Sequence, residues 1–198
     1  QYSTTTTLSI LELIKSIIKK DKNFFKNTRI SAVRDFHDNN LYIESCATKI
    51  RTTQQRLGKP DKLLFSFHGI PQSYVCDEEP YQSQCLLTAS LIAKELNLNG
   101  SQYEVAFQSR FGKAEWIKPY LSSRLEELPR EGIHNIHVFC PGFSSDCLET
   151  IDEIGRESKE EFLEHGGKSF EFIPCLNSEE SFINALMDIQ KKADVKIL

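Results

Sequence analysis

The chain has 198 residues, 39% of them hydrophobic and 26% charged, enough for one domain with a real core and unlike the composition of disordered chains. A formal net charge of −4 leaves no basic excess to engage nucleic acid, and no apolar run approaches the roughly 20 residues that cross a bilayer. Cys46, Cys76, Cys85, Cys140, Cys147 and Cys175 include no Cys-x-x-Cys pair, which argues against a structural zinc site and for free thiols in a reducing compartment.

The opening "QYSTTTTLSI" has no initiator methionine, no charged n-region and no cleavage pattern, so a processed form or a fragment is expected rather than a signal peptide. Residues 8–20 place Leu8, Leu11, Ile14 and Ile18 at helical spacing, with Lys15, Lys19 and Lys20 late, where cations suit the macrodipole. A basic amphipathic helix of this kind can touch an anionic membrane, but a packed surface helix is the favoured reading.

"TRISAVRDF" (28–36) reads as a strand and 38–56 as a helix. "DKLLFSF" (61–67) has the continuous apolar character of a buried parallel strand. A helix over 81–97, a strand "QYEVAF" (102–107) and a helical segment over 117–128 follow. The strand "NIHVFC" (135–140), a long helix over 146–165, the strand "SFEFIP" (169–174) and a helix over 179–192 complete the chain. This alternation predicts an α/β fold, a doubly wound and mainly parallel sheet flanked by helices, in one domain over 1–198.

Ligands of open α/β sheets bind beyond the carboxyl ends of the strands. There the second strand exits into His68-Gly69-Ile70-Pro71, the third into Gln108-Ser109-Arg110, and the fourth through Pro141-Gly142 into "SSDCLETIDEIGRE". In a parallel sheet these exits share one edge, bringing an imidazole, an amide, a guanidinium and carboxylates within reach of one ligand.

Asp146, Glu149 and Glu153 stand at i, i+3 and i+7, one helical stripe that Glu157 extends. Such a row can pass hard cations or protons, or it can be an acidic helix start followed by a solvated face; the second reading is favoured on periodicity alone. His68 alone could equally be structural, Arg110 an ion-pair partner and Trp116 a core anchor. His37, His134, His137 and His165 show no metal-ligand pairing with an acid. No GxGxxG, Walker or GxSxG pattern occurs. The residues alone support a histidine and carboxylate site of unassigned substrate.

"LLFSFHGIP", "AFQSRFGKAEWIKPY", "CPGFSSDCLETIDEI" and "IPCLN", in this order and spacing, resemble ferrochelatase of the bacterial type, across essentially the whole chain. "QYSTTTT" is similar to the family's Pro-Gln-Tyr-Ser segment. The resemblance implies insertion of ferrous iron into protoporphyrin IX to form protoheme. It puts the family's histidine on His68 and its active-site glutamate on Glu149, both as catalytic and metal-contacting groups. Asp146 and Glu153 become an acidic path for metal or protons, and Gln108, Ser109, Arg110 and Trp116 become porphyrin-pocket residues.

The same resemblance implies a C-terminal domain whose N-terminal partner domain is missing, with the helix in 178–198 packing on that partner. Iron and porphyrin are then substrates, and no tightly bound cofactor is expected. No cysteine follows Cys175, so no iron–sulfur cluster is expected. The family usually has Gly-Asp where this chain has Glu78-Glu79 before Pro80-Tyr81. Expected location is the cytoplasm, with peripheral contact at the inner membrane, and the chain alone is expected to be weakly active or inactive. A chelatase for coproporphyrin or another divalent metal, or a non-catalytic porphyrin- or metal-binding fragment, are the alternatives.

Overall fold

A computed structural model describes residues 1–21, 23–193 and 195–196. Ser3 caps a π-helical turn, Thr4–Leu8, by accepting from the Thr5 amide, and the turn runs into α1 (Ser9–Lys20). Leu11 and Ile18 of α1 are buried, whereas Ile10, Leu13 and Ile17 face outward. Then follow β1 (Ser31–Ala32), α2 (Asn40–Leu57), β2 (Lys62–His68), a 3-10 turn at Gln72–Tyr74 and α3 (Tyr81–Glu95). After β3 (Tyr103–Gln108), α4 (Leu121–Arg130) and β4 (Asn135–Phe139) comes α5 (Leu148–Ile151). A π-helical turn, Glu153–Ser158, joins α5 to α6 (Lys159–Glu164); β5 (Ser169–Ile173), α7 (Glu180–Lys191) and β6 (Val195–Lys196) end the described chain.

The main sheet has the order β3-β2-β4-β5, parallel throughout. Because crossover helices cover both faces, the middle strand β2 is apolar on both, and Leu63, Leu64, Phe65 and Phe67 are all buried. On one face Phe65, Phe67, Phe107 and Phe139 pack with residues of α2, α3 and α7. On the other, Leu64, Ala106, Ile136 and Val138 meet Leu125 and Leu128 of α4, and Phe162 of α6. The expected α/β fold with a parallel sheet flanked by helices is the fold observed.

Two expectations are corrected. The strand over 28–36 shrinks to β1, which pairs antiparallel with β6 outside the main sheet. Arg29, Arg34 and Asp35 crowd its few apolar residues, leaving too little to bury on two sides. The long helix begins at Leu148, not at 146, because Cys147 is its cap and the Thr150 hydroxyl accepts from the Cys147 amide at 2.9 Å.

The helix within 178–198, expected to reach a second domain, sends Phe182, Ala185 and Ile189 of α7 into this chain's own core beside Tyr42 and Ile43 of α2. Ile183 and Met187 stay exposed on its other side. Residues 194, 197 and 198 lie outside the described residues. No helix among the described residues is long and apolar enough to cross a membrane.

Candidate active site at the strand exits

His68 is the last residue of β2 and lies in register with Gln108, the last of β3. Its Nδ1 is 2.7 Å from the Gly69 carbonyl oxygen, which can only accept, so Nδ1 carries the proton. In the neutral ring this leaves Nε2 with the lone pair. The Tyr81 hydroxyl donates to the His68 carbonyl at 2.8 Å and fixes the backbone below the ring.

The imidazole borders two cavities. One of about 440 Å³ is walled by Thr5, Thr6, Ile70, Tyr74, Phe111 and Trp116; the other, about 210 Å³, shares Thr6 and Ile70 and adds Tyr81 and Phe143. Trp116 is 4% exposed, with its ring centroid 6.2 Å from that of His68, and Phe111 stands edge-on to it at 4.9 Å. Its Nε1 is buried without a hydrogen-bond partner among the described residues. Ile117 donates to the Ile70 carbonyl at 3.0 Å and Gln72 to the Glu115 carbonyl at 2.8 Å, so the tryptophan segment is stitched to the loop behind His68.

Gln108, expected in the pocket, is buried, and its amide is spent internally. Oε1 accepts from Ser66 Oγ at 2.7 Å, and Nε2 donates to the Glu149 carbonyl at 2.8 Å. It thereby fastens the first turn of α5 to the exit of β3. Glu149 itself is exposed, and its carboxyl is held below the usual range by a bond from the Cys147 thiol and by its own amide. Gln108, in register with His68, thus ties the Glu149 turn to the same sheet edge.

Ser109 adopts φ +64°, and in this left-handed conformation both its amide and its hydroxyl reach the two oxygens of Glu153 at 2.7 Å each. Arg110 is exposed with its guanidinium 4.5 Å from the Tyr120 ring centroid. It lines a separate cleft of about 210 Å³ with Glu153, Glu157 and Glu161 rather than the apolar cavity. Burial holds the Glu161 carboxyl above its usual value.

Asp146 departs from the expected stripe. It precedes the helix, and its carboxylate accepts from the Cys175 amide at 2.9 Å and from Asn177 Nδ2 at 2.7 Å. Burial works to raise its pKa, but the bonds from Asn177 and Cys175 outweigh it and the carboxyl sits below the ordinary value. Of the acids along the helix, Glu153, Glu157 and Glu161 share the cleft with Arg110.

Thr5, Thr6 and Glu79 were not read as site residues in the sequence, where four threonines are only a short run and Glu79 stood out only as a departure from the family's Gly-Asp. His37 also differs from its sequence reading. Its Nδ1 is 2.5 Å from Asp35 Oδ1, and with Asp38 the three offer ligand atoms within 4.8 Å of one another, though acids gather this way without any ion.

Comparison with known proteins agrees with these blocks. The family model described as Ferrochelatase matches residues 1–194. A ferrochelatase from Janthinobacterium sp. (strain Marseille) is 43% identical over 189 residues, covering 96% of this chain and 50% of that protein. A ferrochelatase from Idiomarina loihiensis is 42% identical over 192 residues, covering 96% and 51%. The chain spans about half the length of the curated relatives it matches. A solved structure from Marinobacter aquaeolei, carrying the name of a cobalamin (vitamin B12) biosynthesis CbiX protein, overlays 67% of this chain and 96% of its own at a TM-score of 0.46 and 12% identity. With the model matching nearly its whole length and its motif blocks gathered at one sheet edge, this chain belongs to the ferrochelatase family.

Proposed function

We propose that these residues carry half of a site that inserts ferrous iron into protoporphyrin IX to give protoheme, as a nitrogen–metal bond-forming lyase of heme biosynthesis. Iron and porphyrin enter as substrates, and neither a resident cofactor nor an iron–sulfur cluster is required. The reaction is placed in the cytoplasm with peripheral contact at the inner membrane. A further domain, for which the length of the relatives leaves room, is proposed to supply the facing wall, so that these residues alone turn over slowly or not at all.

The observation that carries the reading is His68 in the wall of an apolar cavity, its Nδ1 engaged by the Gly69 carbonyl, at the sheet edge to which Gln108 ties the Glu149 turn. Metallation must remove two protons from pyrrole nitrogens as the metal enters. An imidazole whose Nδ1–H is held by a carbonyl keeps its lone pair on Nε2, and can accept a pyrrole proton or ligate the ion. Glu149 and the following acids suit hard cations or departing protons. The apolar wall of Ile70, Phe111 and Trp116 suits a flat macrocycle, with Asp146 and Gln108 holding the Glu149 turn and Ser109 holding Glu153.

The test is metal insertion into protoporphyrin, followed by the shift in its visible absorption, with and without His68→Ala, in the protein joined to its N-terminal domain. A folded variant is expected to lose about 100-fold or more of the rate, the usual scale for removing a general base. An unchanged rate would remove His68 from the chemistry. Running protoporphyrin beside coproporphyrin, and iron beside other divalent metals, tests the substrate assignment.

A further inference from the structure

Among the buried ionisable groups that the reaction does not use, Glu79 makes connections that bear on the site. It lies in the loop before α3 and is 5% exposed. Its Oε2 accepts from the Thr4 amide at 2.8 Å, from Thr4 Oγ1 at 2.5 Å and from Ser3 Oγ at 3.2 Å. Its Oε1 accepts from the Tyr81 amide at 3.3 Å, at the start of α3, where the cap position is held by Pro80 and supplies no side-chain bond. One carboxylate therefore answers free amides at two helix starts, where negative charge is favoured.

Both starts belong to the cavity beside His68. Thr4 opens the π turn whose Thr5 and Thr6 form one wall. Tyr81 holds the His68 carbonyl and lines the adjoining cavity. The preceding residues are tied to the same helix, Tyr2 N to Gln84 Oε1 at 2.6 Å and Gln1 Nε2 to Thr88 Oγ1 at 3.0 Å. These ties hold the first residues against α3, but among the described residues only Glu79 joins the threonine turn to the residue fixing His68.

We propose that Glu79 is a positioning residue that sets the distance between the Thr5–Thr6 wall and His68, and so the fit of a flat macrocyclic ligand between them. This rests on reading the His68 cavity as the porphyrin site. Glu79 touches neither reacting atoms nor metal; it acts through Thr4 and Tyr81. Removing it frees the turn and widens the slot while His68 and Glu149 remain in place.

The experiment uses this chain, whose only tryptophan, Trp116, lies in the cavity wall and reports protoporphyrin binding by quenching. Glu79→Ala is expected to keep its circular dichroism, to raise amide exchange over Thr5–Leu8 selectively, and to weaken protoporphyrin binding about tenfold. Glu79→Gln, keeping length and one acceptor, is expected to recover part of that loss. Thr4→Val removes the hydroxyl bond from the other side, leaving those of the Thr4 amide and Ser3, and is expected to weaken binding in the same direction by a smaller factor, a readout that stands should Glu79→Ala not fold. Unchanged binding in folded Glu79→Ala or in Thr4→Val overturns the proposal, as does a loss that only tracks the unfolded fraction. Absence of quenching in the unaltered chain overturns the porphyrin reading and this proposal together, whereas normal quenching in chain and variants alike removes the Glu79 role alone.

Discussion

A single hydrogen bond decides which nitrogen of His68 is available, and its acceptor is a backbone carbonyl at the strand exit. That histidine was legible because it ends an apolar run before a Gly-Ile-Pro turn. Asp146 was misplaced because periodicity counts positions and cannot see which residue caps a helix. Cys147, with Thr150 answering its amide, caps a helix that starts at Leu148, two residues late, so Asp146 turns instead to the loop at Cys175 and Asn177. Asp146→Ala is expected to cost about 2 kcal/mol near neutral pH, the scale of charge-assisted hydrogen bonds left open. Its folded pKa lies below the unfolded value, so the ionised group stabilises fully above about pH 4 and progressively less as pH falls through the folded value. Urea melts of both proteins should therefore differ at pH 7 and converge in acid; a gap that persists at the lowest pH would mean that packing, not charge, holds the loop.

Between elements, the close approach of two strand exits matters more than either alone. β2 was readable from its unbroken apolar run, as was the parallel sheet from its alternation with helices. The 28–36 segment has a similar look but lacks apolar residues for two faces, a distinction that emerges only when β2, β3, β4 and β5 complete the sheet without it. The π turn was invisible, since no residue type encodes it as glycine encodes a left-handed turn. At Gly69 the two strand exits and the tryptophan segment meet closely. A Cβ there would lie 3.1 Å from both the Gln108 carbonyl oxygen and Trp116 Cε3. Gly69→Ala must therefore push the tryptophan or spread β2 from β3, and overpacking of this kind costs about 1–3 kcal/mol. The tryptophan emission maximum and the midpoint of unfolding should both move; a shift in neither would show that the exit accommodates a methyl freely.

At the scale of the molecule, the apolar surface around the strand exits is larger than the chain covers. Phe111 is 72% exposed, Leu148 75% and Ile151 60%, on segments that flank His68 and Glu149. Large apolar groups left open in this way mark a surface that another body meets. Inserting a metal into a macrocycle also favours a site closed to water, where fixed protein dipoles replace the hydration of the ion. On the proposed reading, a chain spanning half the length of its relatives would offer one wall of such a site. It is therefore expected to bind protoporphyrin, through the Trp116 cavity, while inserting metal on the order of 100-fold more slowly than the same residues joined to a facing domain, the scale over which positioning alone acts. Binding follows from tryptophan quenching and insertion from the visible spectrum, measured side by side. Equal insertion rates would show that one wall suffices and that the porphyrin is held wholly by the residues between β2 and α5. Loss of binding as well as rate would mean instead that the facing domain shapes the cavity itself, and that His68 acquires its partner only when the two halves close.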